Sequence, residues 1–180
     1  MVLRCDGQCQ LRLEYRHLTV VFLIYSPAGT GGLPLTNFEG TKMAKPKVFV
    51  SYDHSEDVNY KRLLQAWDAN PDFDFDFDSR GPDVPIDSNA AGPIKASLTT
   101  KMKDATHLLV LVGASSSKSK WMTWEIDRAK QSDTKLKLAA VKLAKDNTTP
   151  AGLLNVGTAW ATSFTRDRIV EALKTAKNTY

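Results

Sequence analysis

The chain has 180 residues, of which 42% are hydrophobic and 24% charged, a composition that is ordinary for one globular domain. Its net charge of +4 comes from lysines and arginines scattered singly along the chain, so we expect no nucleic acid as a partner. The longest apolar run, residues 18–25, is far shorter than the roughly 20 residues of a membrane-spanning helix. We therefore expect no membrane either.

Residues 1–42 differ in character from the rest of the chain. Cys5 and Cys9 lie here in a C-x-x-x-C spacing that lacks the second ligand pair of a structural zinc site, so we expect no metal. The absence of cysteine from Met43 onward suits a reducing cytoplasm. A glutamate–glycine pair just before Met43 would be encoded by a purine-rich sequence resembling a ribosome-binding site. We expect an upstream over-translation or disordered extension in residues 1–42, and the domain proper in 43–180.

Strands and helices are predicted to alternate from there on. The β-branched and aromatic run "KVFVSY" predicts a buried strand, and "DHSE" behind it suggests a capping box. The helix that follows carries an apolar set at helical spacing: Tyr60, Leu63, Leu64 and Trp67. In "DFDFDFD" phenylalanines alternate with aspartates, which predicts an edge strand with one face in water. Aspartates two apart on a flat strand do not converge, so we expect no cation there.

A long loop over residues 78–92 leads to a second helix, with Ile94, Leu98 and Met102 on one face. "HLLVLVG" is the most apolar segment and predicts the central strand, and a serine-rich loop then leads into a third helix starting near Ser117 or Ser119. "KLAAVKL" predicts a further strand, another short strand is expected within 153–160, and the last helix should begin near Thr165. This alternation predicts an α/β fold with a central parallel sheet and helices on both faces.

Ligands bind such sheets at the carboxyl ends of the strands, where the loops are 52–55, 78–92 and 113–119. No glycine-rich dinucleotide-binding or phosphate-binding motif occurs. Trp121 and Glu125 are four residues apart, so they share a face of the helix that leaves the last of these loops. Most helical glutamates are solvated, but burying two nearby tryptophans would bring this carboxylate close to the protein body.

Two segments resemble a known family. "KVFVSYDHSED" resembles the start of TIR domains, and "LLVLVGASSSKSKWMTWEIDRA" resembles their third strand, serine-rich loop and W-x-x-x-E helix. The stretch "FDSRGPDVPIDSNAAGPIKASLTTKMKDATHLLVLVG" looks most like the ThsB-type TIR-like proteins of bacterial Thoeris antiphage systems. The resemblance covers residues 45–145 and implies a flavodoxin-like fold. It also implies that NAD is a substrate and not a bound cofactor.

The resemblance further implies an enzyme that releases nicotinamide from NAD, with Glu125 as its catalytic residue. The product would be a cyclic ADP-ribose-type nucleotide that activates a separate effector protein. TIR enzymes often complete their sites by association, so a homo-oligomer is a further expectation.

Other residues at this edge are candidate contacts for the nucleotide. They are Tyr52, Asp53, Asp87, Ser88, Asn89, Ser115, Trp121 and Trp124. Tyr52 and Asp53, after the first strand, could stack on the nucleotide or hydrogen-bond to it, although packing and capping explain them equally well. The three loop residues could line a pocket or only form a turn. The serine suits a phosphate near the free N–H groups of a helix entry, and the tryptophans could equally pack in the core.

Two other functions are weighed against the enzyme. Many TIR domains are adaptors that act through protein association, and the intact Glu125 argues against this alternative. A receiver domain needs a phosphoacceptor aspartate at the end of its third strand, where this chain reads "VLVGAS". The receiver is therefore the weaker alternative.

Overall fold

The structure is a computed structural model, and it describes residues 5–6, 10–15, 18–22, 45–70, 75–78 and 85–180. The chain divides into two compact units, Met1–Lys42 and Met43–Tyr180. The first unit contains a three-stranded antiparallel sheet of β1 (Cys5–Asp6), β2 (Gln10–Tyr15) and β3 (Leu18–Phe22). The sequence pattern does not indicate these strands, and the over-translation of residues 1–42 stays a prediction.

The second unit is built on a five-stranded parallel sheet in the order β5–β4–β6–β7–β8. Its strands are β4 (Lys47–Ser51), β5 (Asp76–Asp78), β6 (His107–Val112), β7 (Lys137–Lys142) and β8 (Ala159–Ala161). The most apolar strand, β6, is buried at every residue and is central, as predicted. The described part of the alternating segment, residues 75–78, contains the edge strand β5, with Phe75 and Phe77 buried and Asp76 exposed, as predicted, whereas residues 72–74 lie outside the described residues. The strand order reverses between β4 and β6.

Four helices cover the sheet: α1 (Val58–Asp68), α2 (Ala91–Asp104), α3 (Lys120–Ala129) and α4 (Arg166–Thr175). Short 3-10 helices occupy Ser116–Lys118 and Ala151–Leu153. The predicted α/β, flavodoxin-like architecture is therefore confirmed. Within the described part of the chain, none of the helices combines the length and the apolar run that crossing a bilayer requires.

Two details of α1 differ from the sequence-based prediction. The helix begins at Val58 with Asp57 as its N-cap, so "DHSE" is not its capping box, and the Asp57 side chain makes no capping hydrogen bond. Leu63, predicted on the apolar face, is 47% exposed, whereas Leu64 is fully buried. The inward stripe consists of Tyr60, Leu64 and Trp67, and Leu63 lies about 60° from its centre on the helical wheel, at the edge toward solvent.

Alternate residues of each strand point to opposite faces of the sheet and divide the core into two apolar clusters. The α1–α4 face includes Val48 and Val50 of β4, packed with residues of α1 and α4. The α2–α3 face includes Phe49 of β4, packed with residues of α2 and α3. Because the period is two, the side chain of Ser51 lies on the α2–α3 face and that of Tyr52 on the α1–α4 face.

Candidate active site at the carboxyl edge of the sheet

Glu125 lies in the second turn of α3, and only 3% of its surface is exposed. Ser119 caps this helix, its hydroxyl oxygen accepting a hydrogen bond from the Met122 N–H at 3.4 Å. Met122 and Ile126 are fully buried against the α2–α3 face and set the rotation of the helix about its axis. On the helical wheel residue 125 lies about 60° from Met122 and about 40° from the buried Ala129, so its carboxyl group is carried toward the sheet.

Ser51, the last residue of β4, provides the hydrogen bond to this buried carboxyl group. The Ser51 hydroxyl donates to Oε2 of Glu125 at 2.6 Å, and Ser51 is itself fully buried. Burial penalises the charged form and raises the pKa of Glu125 from 4.5 to about 8, against a smaller lowering by the Ser51 hydrogen bond. In the free protein at neutral pH, the protonated form of Glu125 therefore predominates.

The two tryptophans of α3 flank this position. Trp121 and Trp124 meet edge to face, with ring centroids 5.8 Å apart, and both are partly buried against the α2–α3 face. The Lys95 ammonium group of α2 lies 5.9 Å from the centroid of each ring, within cation–π range. Both predicted tryptophans thus lie on the same helix as Glu125, and the Lys95 ammonium group lies over their rings.

The loop before α2 reaches the start of α3 through one ion pair. Lys120, the first residue of α3, lies 2.6 Å from a carboxylate oxygen of Asp87, and its hydrogen bond lowers the pKa of Asp87. Both side chains are largely exposed, so the pair orients the loop more than it stabilises the fold. Beside Asp87, the Ser88 hydroxyl is buried with no hydrogen-bond partner among the described residues, and Asn89 is exposed. Residues 79–84 of the same predicted loop lie outside the described residues.

Tyr52 and Asp53 follow β4 directly but are engaged elsewhere. Tyr52 is buried in the cluster on the α1–α4 face, with its hydroxyl 3.2 Å from Nδ1 of His54 and the Lys61 ammonium 5.7 Å from its ring centroid. Asp53 accepts hydrogen bonds from the N–H and the hydroxyl of Ser55. The side chain of Tyr52 lies on the opposite face of the sheet from Glu125. The role of Tyr52 and Asp53 as nucleotide contacts stays a prediction.

Ser115 is half-buried at the start of the 3-10 helix, and its side chain makes no capping hydrogen bond. Its neighbour Ser116 is fully buried, accepting from the Gly113 N–H at 2.8 Å and donating to the Leu111 carbonyl at 3.2 Å. The serine-rich segment therefore uses the hydroxyls of Ser116 and Ser119 for structure and leaves Ser115 as the predicted phosphate contact.

A second buried carboxyl group lies at the same edge. Asp57 is 4% exposed, and in the part of the chain that the structure describes its Oδ2 has no hydrogen-bond partner. Its carboxyl group lies so close to Gly113 that a Cβ there would overlap it. Burial raises the pKa of Asp57 to about 6, partly offset by a backbone hydrogen bond at Asp53.

Sequence reasoning missed both Ser51 and Asp57 as components of this edge. The available signals were weak: a serine at an inward position of an apolar strand, and an acidic residue directly before a helix.

The carboxyl edge thus carries a buried acid with a raised pKa, a hydroxyl that holds one of its oxygens, and an aromatic pair beside it. A strongly shifted acid at the ligand-binding edge of a parallel sheet is typical of an active site. In its ionised form, such a group would stabilise positive charge that develops on a bound substrate, and the low local dielectric would strengthen that interaction.

Comparison with known proteins gives one family. The family model described as "Thoeris protein ThsB, TIR-like domain" matches residues 49–148. The matched segment begins in β4 and ends after β7, so it includes both Ser51 and Glu125. Among curated proteins, no match to the chain is found.

Proposed function

The chain belongs to the TIR-like domain family of the Thoeris defence protein ThsB, and on that premise we propose that it is an enzyme cleaving the bond between nicotinamide and ribose in NAD. The observation that carries the proposal is the buried carboxyl group of Glu125, hydrogen-bonded to Ser51 at the carboxyl edge of the sheet. Among the described residues, no group of three or more histidine, cysteine or acidic side chains suits a metal ion.

The chemistry requires one anion and no general acid. Nicotinamide in NAD is already a cationic leaving group, so the electrons of the breaking bond neutralise its ring nitrogen and no proton has to be supplied. The ribose carbon left behind acquires oxocarbenium character, as in glycoside cleavage. The ionised carboxylate of Glu125 would stabilise this charge and accept hydrogen bonds from the ribose hydroxyls.

The protonated resting state of Glu125 is compatible with this role. A positive charge close to a carboxyl group favours its ionised form and lowers its pKa. The pyridinium ring of bound NAD supplies such a charge, so substrate binding would release the proton that burial retains on Glu125. The carboxylate would then be present when the ribose becomes cationic.

We further propose that the ADP-ribosyl group is closed into a cyclic nucleotide that activates a partner effector in the cytoplasm. Ring closure requires an internal nucleophile of the ADP-ribosyl group to reach the ribose carbon before water does, with loss of the nucleophile's proton. A carboxyl group that is only 3% exposed, flanked by two partly buried tryptophans, favours the exclusion of water from this position.

The test is incubation of the purified protein with NAD, with and without extract from phage-infected cells. Nicotinamide is quantified by chromatography and the nucleotide product by mass spectrometry, where a cyclic product is one water lighter than ADP-ribose. Glu125→Gln should abolish release, whereas Glu171→Gln, a matched change of an exposed glutamate on α4, should leave it intact. Absence of nicotinamide release under every condition would refute the enzyme and favour the adaptor.

A further inference from the structure

We propose that Ser51 is a positioning residue for Glu125, holding Oε2 through its hydroxyl and so presenting Oε1 as the oxygen that meets the ribose. This inference rests on the proposed function, because it names how the catalytic carboxylate is aimed. It concerns a residue 74 positions away in sequence, on another element of the fold.

The backbone at Ser51 is held firmly enough for this role. Ser51 ends β4, which pairs with β5 on one side and β6 on the other, and Ser51 itself is in register with Val110 of β6. Ser51 is fully buried, so its hydroxyl is shielded from bulk solvent, and it donates its hydrogen bond to Glu125. A short side chain on a paired strand is a more rigid support than a residue on a loop.

The division between the two carboxyl oxygens follows from the hydrogen bonds. Ser51 is the one hydrogen-bond partner that the carboxyl group of Glu125 has among the described residues, and it bonds only to Oε2. The 2.6 Å separation is at the short end of O–H···O hydrogen bonds, and the bond becomes charge-assisted and stronger when Glu125 is ionised. A glutamate side chain without this contact would regain rotamer freedom, so its carboxylate would be aimed less accurately.

The causes of the pKa shift at Glu125 are burial and the Ser51 hydrogen bond. The charged residues nearby therefore do not take over the role of Ser51 in holding the carboxyl group. Lys47 is at the other end of β4, and Lys95 of α2 lies over the tryptophan rings. Lys120 and Arg128 of α3 are paired with Asp87 and Asp133, respectively. The other charged or titratable groups on the elements packed with α3 are Lys101, Lys103, Asp104, His107, Lys118, Lys137 and Lys142. On α3 itself, Asp127 pairs with Lys130.

The experiment compares Ser51→Ala with Ser51→Thr, which retains a hydroxyl, and with Thr134→Ala. Thr134 donates its hydroxyl to the backbone carbonyls of Arg128, in the last turn of α3, and of Gln131, so this control removes a side-chain hydrogen bond without touching Glu125. Two quantities are measured in the full chain: the titration of Glu125 by carboxyl carbon NMR, assigned by its loss in Glu125→Gln, and the pH profile of kcat for nicotinamide release. Thermal melting confirms that each variant is folded.

We expect Ser51→Ala to raise the pKa of Glu125 by about 1 to 2 units, the value of a lost hydrogen bond to a charged group. Nicotinamide release at neutral pH should fall by about tenfold or more, through kcat, with partial recovery at alkaline pH. Ser51→Thr should restore the titration and the rate, and Thr134→Ala should resemble the wild type.

An unchanged Glu125 titration in Ser51→Ala would overturn the proposal, and so would a kcat that stays unchanged in this variant. The titration does not depend on activity, which separates the two hypotheses. If the wild type releases no nicotinamide but Ser51→Ala still shifts the titration, the proposed function fails and the holding of Oε2 by Ser51 stands.

Discussion

Replacing Glu125 by glutamine should stabilise the protein at neutral and alkaline pH, while removing the activity proposed for it. The pKa of Glu125 is about 8 in the folded chain and 4.5 without the fold, because burial disfavours the carboxylate. The folded state therefore binds this proton more tightly than the unfolded state. Between these two values the free energy of unfolding falls as the pH rises. Glutamine has no such proton to lose, and its amide oxygen can still accept the hydrogen bond from Ser51.

The size of the effect follows from the same two pKa values. With about 1.4 kcal/mol for each unit of difference, the wild type loses roughly 3 kcal/mol at pH 7 relative to acidic pH, from this group alone. The loss levels off at roughly 5 kcal/mol above pH 8, where both states are ionised. Because a typical domain is stable by only about 5–15 kcal/mol, this is a measurable share of the total.

The assay is urea denaturation of the wild type and Glu125→Gln between pH 5 and pH 9. Subtracting the two free energies of unfolding at each pH cancels the other titrating groups, including Asp57, which both proteins share. The difference should be smallest at pH 5 and should rise in favour of glutamine up to about pH 8. A difference that does not change with pH would show that Glu125 titrates normally and is not desolvated as the structure indicates.

Two paired substitutions test the packing around this site. Gly113→Ala should lower the free energy of unfolding by about 1–3 kcal/mol, because its Cβ would overlap the buried Asp57 carboxyl group. Gly92→Ala, in the first turn of α2 with no atom near the new Cβ, should instead raise it by up to about 1 kcal/mol. Leu64→Ala should cost about 2–5 kcal/mol, whereas the exposed Leu63→Ala should change it by less than about 0.5 kcal/mol. Urea denaturation measures all four, and equal costs within either pair would contradict the packing described.

The architecture of the second unit could be predicted from sequence because local patterns carry it. The unbroken apolar run of β6 belongs at the centre of a parallel sheet, and the strict alternation around Phe75 and Phe77 belongs at an edge. The start of α1 was harder, because several acidic and polar residues before Val58 can act as an N-cap. Which of them does so is decided by the packing of the helix and not by the local sequence.

The candidate site could likewise be predicted only where a local sequence pattern indicates it. Glu125 was found because it lies on a helix at the ligand-binding edge and within a family motif. Its hydrogen bond with Ser51 joins α3 to β4. This bond depends on which face of the sheet the Ser51 side chain lies on, and on the rotation of α3 about its axis. No local pattern contains both. The burial of Tyr52 on the opposite face follows from the alternation of side chains along the strand, which could have been counted from Phe49 onward.

Burial of Glu125 works against stability and, on the proposed function, in favour of catalysis. A solvated glutamate would be ionised at neutral pH, but water would screen its attraction for a developing cation. The buried group holds a proton instead and gives it up only when a positive charge enters beside it. On the proposed function, the free energy that folding loses at Glu125 would be recovered in part on substrate binding, because the cationic ring of NAD would place an opposite charge beside the carboxylate. Ser51 is neutral, so it can aim the carboxyl group without providing that charge in advance.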